Sequence, residues 1–163
     1  MKTDYKKDMF EAFKLICQME IPDNVKSRML TTLYTMEPNH WRVTGISVEA
    51  LKVFHDNGYK NRPKIGINRS HIVDRQDSNQ ELLQQFAFGG FENHEQWWEY
   101  FWGNDATCLM TSSENMKKTE ASEIIYFDNP GFSLFKSKGF GWKHGKEEEE
   151  LLEQLYKNAA VLN

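Results

Sequence analysis

Apolar residues recur at helical spacing through Met9, Phe10, Phe13, Ile16 and Cys17, which predicts a first amphipathic helix within DYKKDMFEAFKLICQM. Pro22 and Asp23 form a helix-start signal, and Val25, Met29, Leu30 and Leu33 then share one side of a second helix. A short third helix follows Ser47, carries Ala50, Leu51, Val53 and Phe54, and is stopped by the Asn57-Gly58 pair and Pro63. A lone Gly between two amphipathic helices is common, so TGISVEAL is not read as a helix-turn-helix. After Pro63 the period changes. Ile65, Ile67 and then His71 or Ile72 alternate as in a strand. Two helical patterns, NQELLQQFAF and HEQWWEYFW, separate that strand from ATCLMT, a short buried strand, and Trp97, Trp98 and Trp102 read as core. SSENMKKTEASEI opens a helix with Ser112 or Ser113 as its cap, EIIYFD is a further strand, and NPGF is a turn. A terminal helix carries Leu152, Leu155, Ala159 and Leu162 on one stripe.

The fold class expected is α+β, mainly helical, with a small β-hairpin plus helix at its centre. At 163 residues the chain is the size of one domain. Three parts succeed one another in it: a helical stretch over 1–60, the strand-bearing core over 61–118, and a basic aromatic loop with the terminal helix over 119–163. The start MKTDYKKDMF lacks a signal peptide's apolar middle segment, and no apolar run is long enough for a bilayer, which predicts a cytoplasmic, non-membrane protein. Cys17 and Cys108 lie in apolar runs, and two thiols supply neither a zinc cage nor a disulfide framework.

A formal net charge of -4 excludes a polycation, but the charge is unevenly placed. Lys60, Arg62, Lys64, Arg69 and Arg75 stand against Asp74 alone. Between Gly131 and Lys146, four lysines (136, 138, 143 and 146) interleave with Phe132, Phe135, Phe140 and Trp142, with no acid. Ammonium groups among aromatic rings are what a phosphate backbone with stackable bases would engage. Of His40, His55, His94 and His144, only His144, in WKHG, lies in a basic loop.

The segment NRSHIVDRQD, followed by an apolar strand running into TSSENMKK, resembles the HNH endonucleases, whose metal site is built on a ββα unit. The resemblance spans roughly Ile65 to Lys118. It implies His71 as the first motif residue, Asn104 as the middle Asn and Asn115 as the last. In that chemistry a neutral imidazole takes a proton from the attacking water, while one Mg²⁺ or Mn²⁺ ion stabilises the leaving oxygen of a DNA phosphodiester. Asn104 would orient the loop, Asn115 would ligate the ion with Glu114 or Asp105 adding charge, and Arg69, Arg75, Lys117, Lys143 and His144 would hold phosphates. The family usually places Asp or Glu directly before the first His, where this chain has Ser70. The long interval from His71 to Asn104 requires an insertion, which the two helical patterns supply.

Three classes therefore stand open: a DNA-cleaving HNH-type enzyme of phage, mobile-element or restriction origin; the same scaffold without its chemistry, binding nucleic acid or inhibiting; and a small phage-type factor that docks on another protein. On the bland reading, His71 is an ordinary histidine satisfied by a backbone carbonyl. The terminal stripe packs on its own core or on a second copy, leaving a homodimer open.

Overall fold

The computed structural model describes residues 4–117 and 122–161. In chain order its elements are helices α1 (Tyr5–Gln18) and α2 (Asp23–Tyr34), strand β1 (Val43–Ser47), helix α3 (Val48–Asp56), strand β2 (Ile67–His71), helices α4 (Arg75–Ala87) and α5 (His94–Asn104), strand β3 (Thr107–Thr111), helix α6 (Ser112–Met116), strands β4 (Ile124–Tyr126), β5 (Ser137–Lys138) and β6 (Gly141–Trp142), and helix α7 (Lys146–Val161). The mixed α+β class is as expected, and helix predominates. The elements sort into two compact units, each drawn from two stretches of chain: Met1–His40 with Ile72–Ala106, and Trp41–His71 with Thr107–Asn163. These interleave, whereas the sequence reads as three consecutive parts of a single domain.

The first unit is helical. Asp4, Asp74 and Asn93 each stand just ahead of a helix and accept a backbone N–H from its first turn, which fixes where α1, α4 and α5 begin. The apolar stripe of α1 meets Leu30, Leu33 and Tyr34 of α2, Leu82 of α4, and Trp97 and Phe101 of α5. Phe13 and Trp97 are fully buried, with ring centroids 5.5 Å apart. At about 1.5–3 kcal/mol per buried large apolar side chain, this cluster is what holds the four helices. Trp97 thus takes the core place expected of it, and Trp98 and Trp102 pack at its edge. Asn79, also fully buried, donates from Nδ2 to Ser27 O (2.9 Å), Ser27 Oγ (3.0 Å) and Thr31 Oγ1 (3.1 Å), tying α4 to α2.

The second unit is built on a four-stranded sheet of order β2-β3-β1-β4, with β1 parallel to β3 and the other two pairings antiparallel. One face carries Val43, Ile46, Ile67 and Leu109 and packs with Ala50, Leu51 and Phe54 of α3, with Leu152 of α7, and with Phe135 from the loop before β5. Gly45 is required at the centre of the sheet, since a Cβ there would lie 2.9 Å from Ile125 O and 3.3 Å from Cys108 Sγ. Thr111 starts α6 with a reciprocal capping box: its hydroxyl accepts from Glu114 N, and the Glu114 carboxylate accepts from Thr111 N.

Several differences from the sequence reading have physical causes. The expected small β-hairpin is instead an antiparallel pair, β2 and β3, inside a larger mixed sheet, with α4 and α5 lying in the connection between them. Strand β1 occupies residues read only as the approach to a helix, because every one of Val43, Gly45, Ile46 and Ser47 is buried and no alternation marks them. The basic aromatic loop contains a tight hairpin, β5–β6. The helix expected from Ser112 through Ile124 is described only as α6, and residues 118–121 lie outside the described residues, as does Leu162 of the terminal stripe. Among the described residues no helix is long and apolar enough to cross a membrane.

Candidate nucleic-acid interface

Strand β2 sets the geometry because its side chains alternate between faces. Arg69 and His71 point one way, Asn68 and Ser70 the other. On the second face Ser70, only 6% exposed, donates its hydroxyl to Asn115 Oδ1 at 2.7 Å, and Asn68 Nδ2 donates to Ser112 Oγ at 3.1 Å, so β2 is laced to α6. On the first face Arg69 and His71 gather around Trp41. The guanidinium lies 4.9 Å from the Trp41 ring centroid, and the imidazole meets the same indole edge-on at 5.8 Å. His71 therefore projects from the face of β2 opposite the one on which Ser70 meets Asn115.

Arg69 does more than approach an indole. Its Nη1 donates to Trp41 O (3.3 Å) and Ser137 Oγ (2.7 Å), and its Nη2 to Gly139 O (3.0 Å). Those acceptors belong to the turn before β1 and to the β5–β6 hairpin, so one planar fork fastens the hairpin to the sheet. The hairpin loop is Gly139-Phe140, with Gly139 at φ +59°, a value a side chain resists. Phe140 stands 91% exposed at its tip, its ring 6.1 Å from Trp41 and tilted 36° to it. Lys136, Lys138 and Lys143 are exposed on and beside the hairpin. Trp41 itself sits at φ +56°, in the left-handed region, which costs a bulky side chain roughly 1–2 kcal/mol and persists only where surrounding contacts hold it.

The other sequence candidates are placed differently. Asn104 ends α5 in the helical unit, where its Nδ2 donates to Tyr100 O at 3.1 Å. Arg75 and Asp105 belong to that unit too, as a pair at 3.6 Å with Asp105 3% exposed on its side chain. Burial draws the Arg75 pKa down, and Asp105 and then Tyr34 act against it. In the sheet unit His144 is a packing residue. It stacks on Phe54 at 5.4 Å, its Nδ1 accepts from Trp142 Nε1 (3.3 Å), and Nε2 lies 2.9 Å from Tyr59 O. With Nδ1 accepting from Trp142, Nε2 is the nitrogen that donates to that carbonyl. Lys117, just past α6, is exposed.

A divalent ion of the HNH kind would take Asn115 as a ligand, with Glu114 or Asp105 adding charge. Asn115 Oδ1 is taken by Ser70. The Glu114 carboxylate accepts from Ser47 Oγ (2.7 Å), Thr111 N (2.9 Å) and Thr111 Oγ1 (2.9 Å), and Asp105 is paired with Arg75. Burial pushes the Glu114 pKa up, but the hydrogen bonds from Ser47, Thr111 and Ser122 outweigh it and hold the group below the ordinary value. Among the described residues no three His, Cys, Asp or Glu side chains are grouped to hold a metal. Among the described residues these donors, already engaged by Ser70, Ser47, Thr111 and Arg75, do not fit a Mg²⁺ or Mn²⁺ site.

Two residues that sequence reasoning left out of the site, Trp41 and Ser137, are central to it. Trp41 carries no local signal; the signal for the hairpin is the SKGFGW string, a Gly-led two-residue loop between short strands. Comparison of the chain with protein-family models, with characterised proteins and with solved structures returns no match.

Proposed function

We propose that the protein binds nucleic acid through its sheet unit, on a β2-β3-α6 scaffold of HNH-like order that lacks the hydrolytic chemistry. The observation that carries this reading is the Arg69 clamp, which holds a lysine-bearing hairpin with an outward aromatic ring at one sheet edge. Lys136, Lys138 and Lys143 supply cations that displace counterions from a phosphate backbone, the term that dominates non-specific affinity. Ser70 and Asn115, the two positions where HNH enzymes keep metal ligands, satisfy each other. His71, the candidate base, faces away from them. A general base and a metal-bound phosphate on opposite faces do not share a reaction centre.

The test is fluorescence anisotropy of labelled oligonucleotides at several salt concentrations, alongside plasmid incubation with Mg²⁺ or Mn²⁺. The expected result is affinity that falls with salt, a slope lowered by about one for each of Lys138→Gln and Lys143→Gln, and intact plasmid. Absence of salt-sensitive binding to every oligonucleotide would overturn the reading. Metal-dependent nicking abolished by His71→Ala would replace it with the nuclease.

A further inference from the structure

We infer that Phe140, presented at the hairpin tip beside Trp41, is a stacking platform for an unpaired base, so that the preferred ligand is a single-stranded nucleic acid. This rests on the proposed nucleic-acid function and narrows it to one substrate class. The ring is 91% exposed, so its π face is accessible to a ligand at the hairpin tip. The ring is not on a loose loop. Gly139 O and Ser137 Oγ, one on either side of Lys138, are both held by Arg69 at 3.0 and 2.7 Å, which fixes the tip before any ligand arrives.

Beside Phe140 stands Trp41, whose indole also meets the Arg69 guanidinium and the His71 ring. A base laid on Phe140 would extend an aromatic pair whose ring centroids are 6.1 Å apart, with the exposed Lys138, next but one in sequence, to meet its phosphate. Every base offers a π face, so such a platform tolerates sequence. In a duplex those faces are covered by neighbouring pairs, and a ring on a narrow hairpin reaches them only by wedging the stack open. The lysines favour a polyanion over an uncharged apolar partner, and a single exposed ring buries too little surface to seat a membrane.

The full chain is titrated against a 20-nucleotide single-stranded DNA, the RNA of the same sequence, the corresponding duplex, and vesicles containing anionic phosphatidylglycerol. Single strands of either sugar are expected to bind more tightly than the duplex. Phe140→Ala should weaken them roughly tenfold without changing the salt slope, and Phe140→Trp should restore binding. Equal affinity for DNA and RNA assigns recognition to base and phosphate; a preference for one sugar adds a 2′-hydroxyl contact and leaves the stacking claim standing. The inference is overturned if Phe140→Ala binds single strands as wild type does, if the duplex is preferred, or if the Phe140-dependent partner proves to be the vesicle. Wild-type protein that binds no nucleic acid overturns instead the function on which it rests. Phe140 has few contacts to lose, so an unchanged melting temperature will separate lost stacking from lost folding.

Discussion

Replacing Arg69 by Lys keeps the charge and removes the fork, which makes it a sharp probe of whether this side chain positions the hairpin or touches phosphate itself. The guanidinium donates to three acceptors and lies over an indole. A lysine reaching from the same Cα can satisfy one of them. Hydrogen bonds from a charged donor are each worth about 1.5–3 kcal/mol, and the Gly139 end is open to water, so the net loss should be about 2 kcal/mol. For a chain of this length that corresponds to a fall in melting temperature of roughly 4–8 °C, read by circular dichroism. With its anchor released the hairpin should also be cut faster by trypsin at Lys136 and Lys138, and single-strand affinity should drop several-fold despite unchanged net charge. Thermal stability within about 0.5 kcal/mol of wild type, with binding intact, would refute the clamp.

Other expectations follow from the same contacts. His144→Ala should destabilise the fold by about 2–3 kcal/mol in urea unfolding, since it removes a ring stacked on Phe54 and the acceptor of Trp142 Nε1; a loss of binding without loss of stability would contradict its packing role. Glu114 has a folded pKa below the ordinary 4.5, so its stabilisation is full above that value and is lost as pH falls through the folded pKa. Urea midpoints measured from pH 6 down to pH 3 should therefore fall less steeply for Glu114→Gln than for wild type. Ser70→Asp supplies the carboxylate that HNH enzymes place before the histidine, yet it should give no Mg²⁺-dependent plasmid nicking, because His71 still faces the other way. Asn104→Ala should lower stability by about 1 kcal/mol through the lost bond to Tyr100 O and leave oligonucleotide affinity unchanged.

What the sequence discloses follows the physics of pattern. Helices α1, α2, α5 and α7 show because each carries apolar residues at helical spacing beside a wet face, and β3 because TCLMT is a short apolar run. Strand β1 is hidden by its own burial, since a strand covered on both faces carries no period of two. The hairpin strands are two residues each, too short for any periodicity. For the site, the period of two already separates Ser70 from His71. The partner on each side is another matter: that Ser70 meets Asn115 and that Arg69 reaches Ser137 are contacts across 45 and 68 positions, which no local pattern encodes.

The excursion between the paired strands bears on the order in which the chain can fold. Bringing Ile72 and Ala106 together from an open coil of roughly 35 residues costs about 3 kcal/mol in loop closure. Packing of the four helices meets that cost within the helical unit, where Ile72 N donates to Ala106 O at 3.2 Å. Once that bond exists, His71 and Thr107, the next residues along the chain on either side, are delivered as neighbours in register. All the residues of the helical unit have been synthesised by Ala106, whereas the sheet unit still waits for α7. During translation the helices would then act as a clasp that starts the zipper between β2 and β3. Core substitutions such as Leu82→Ala should accordingly slow the pairing of strands they never touch.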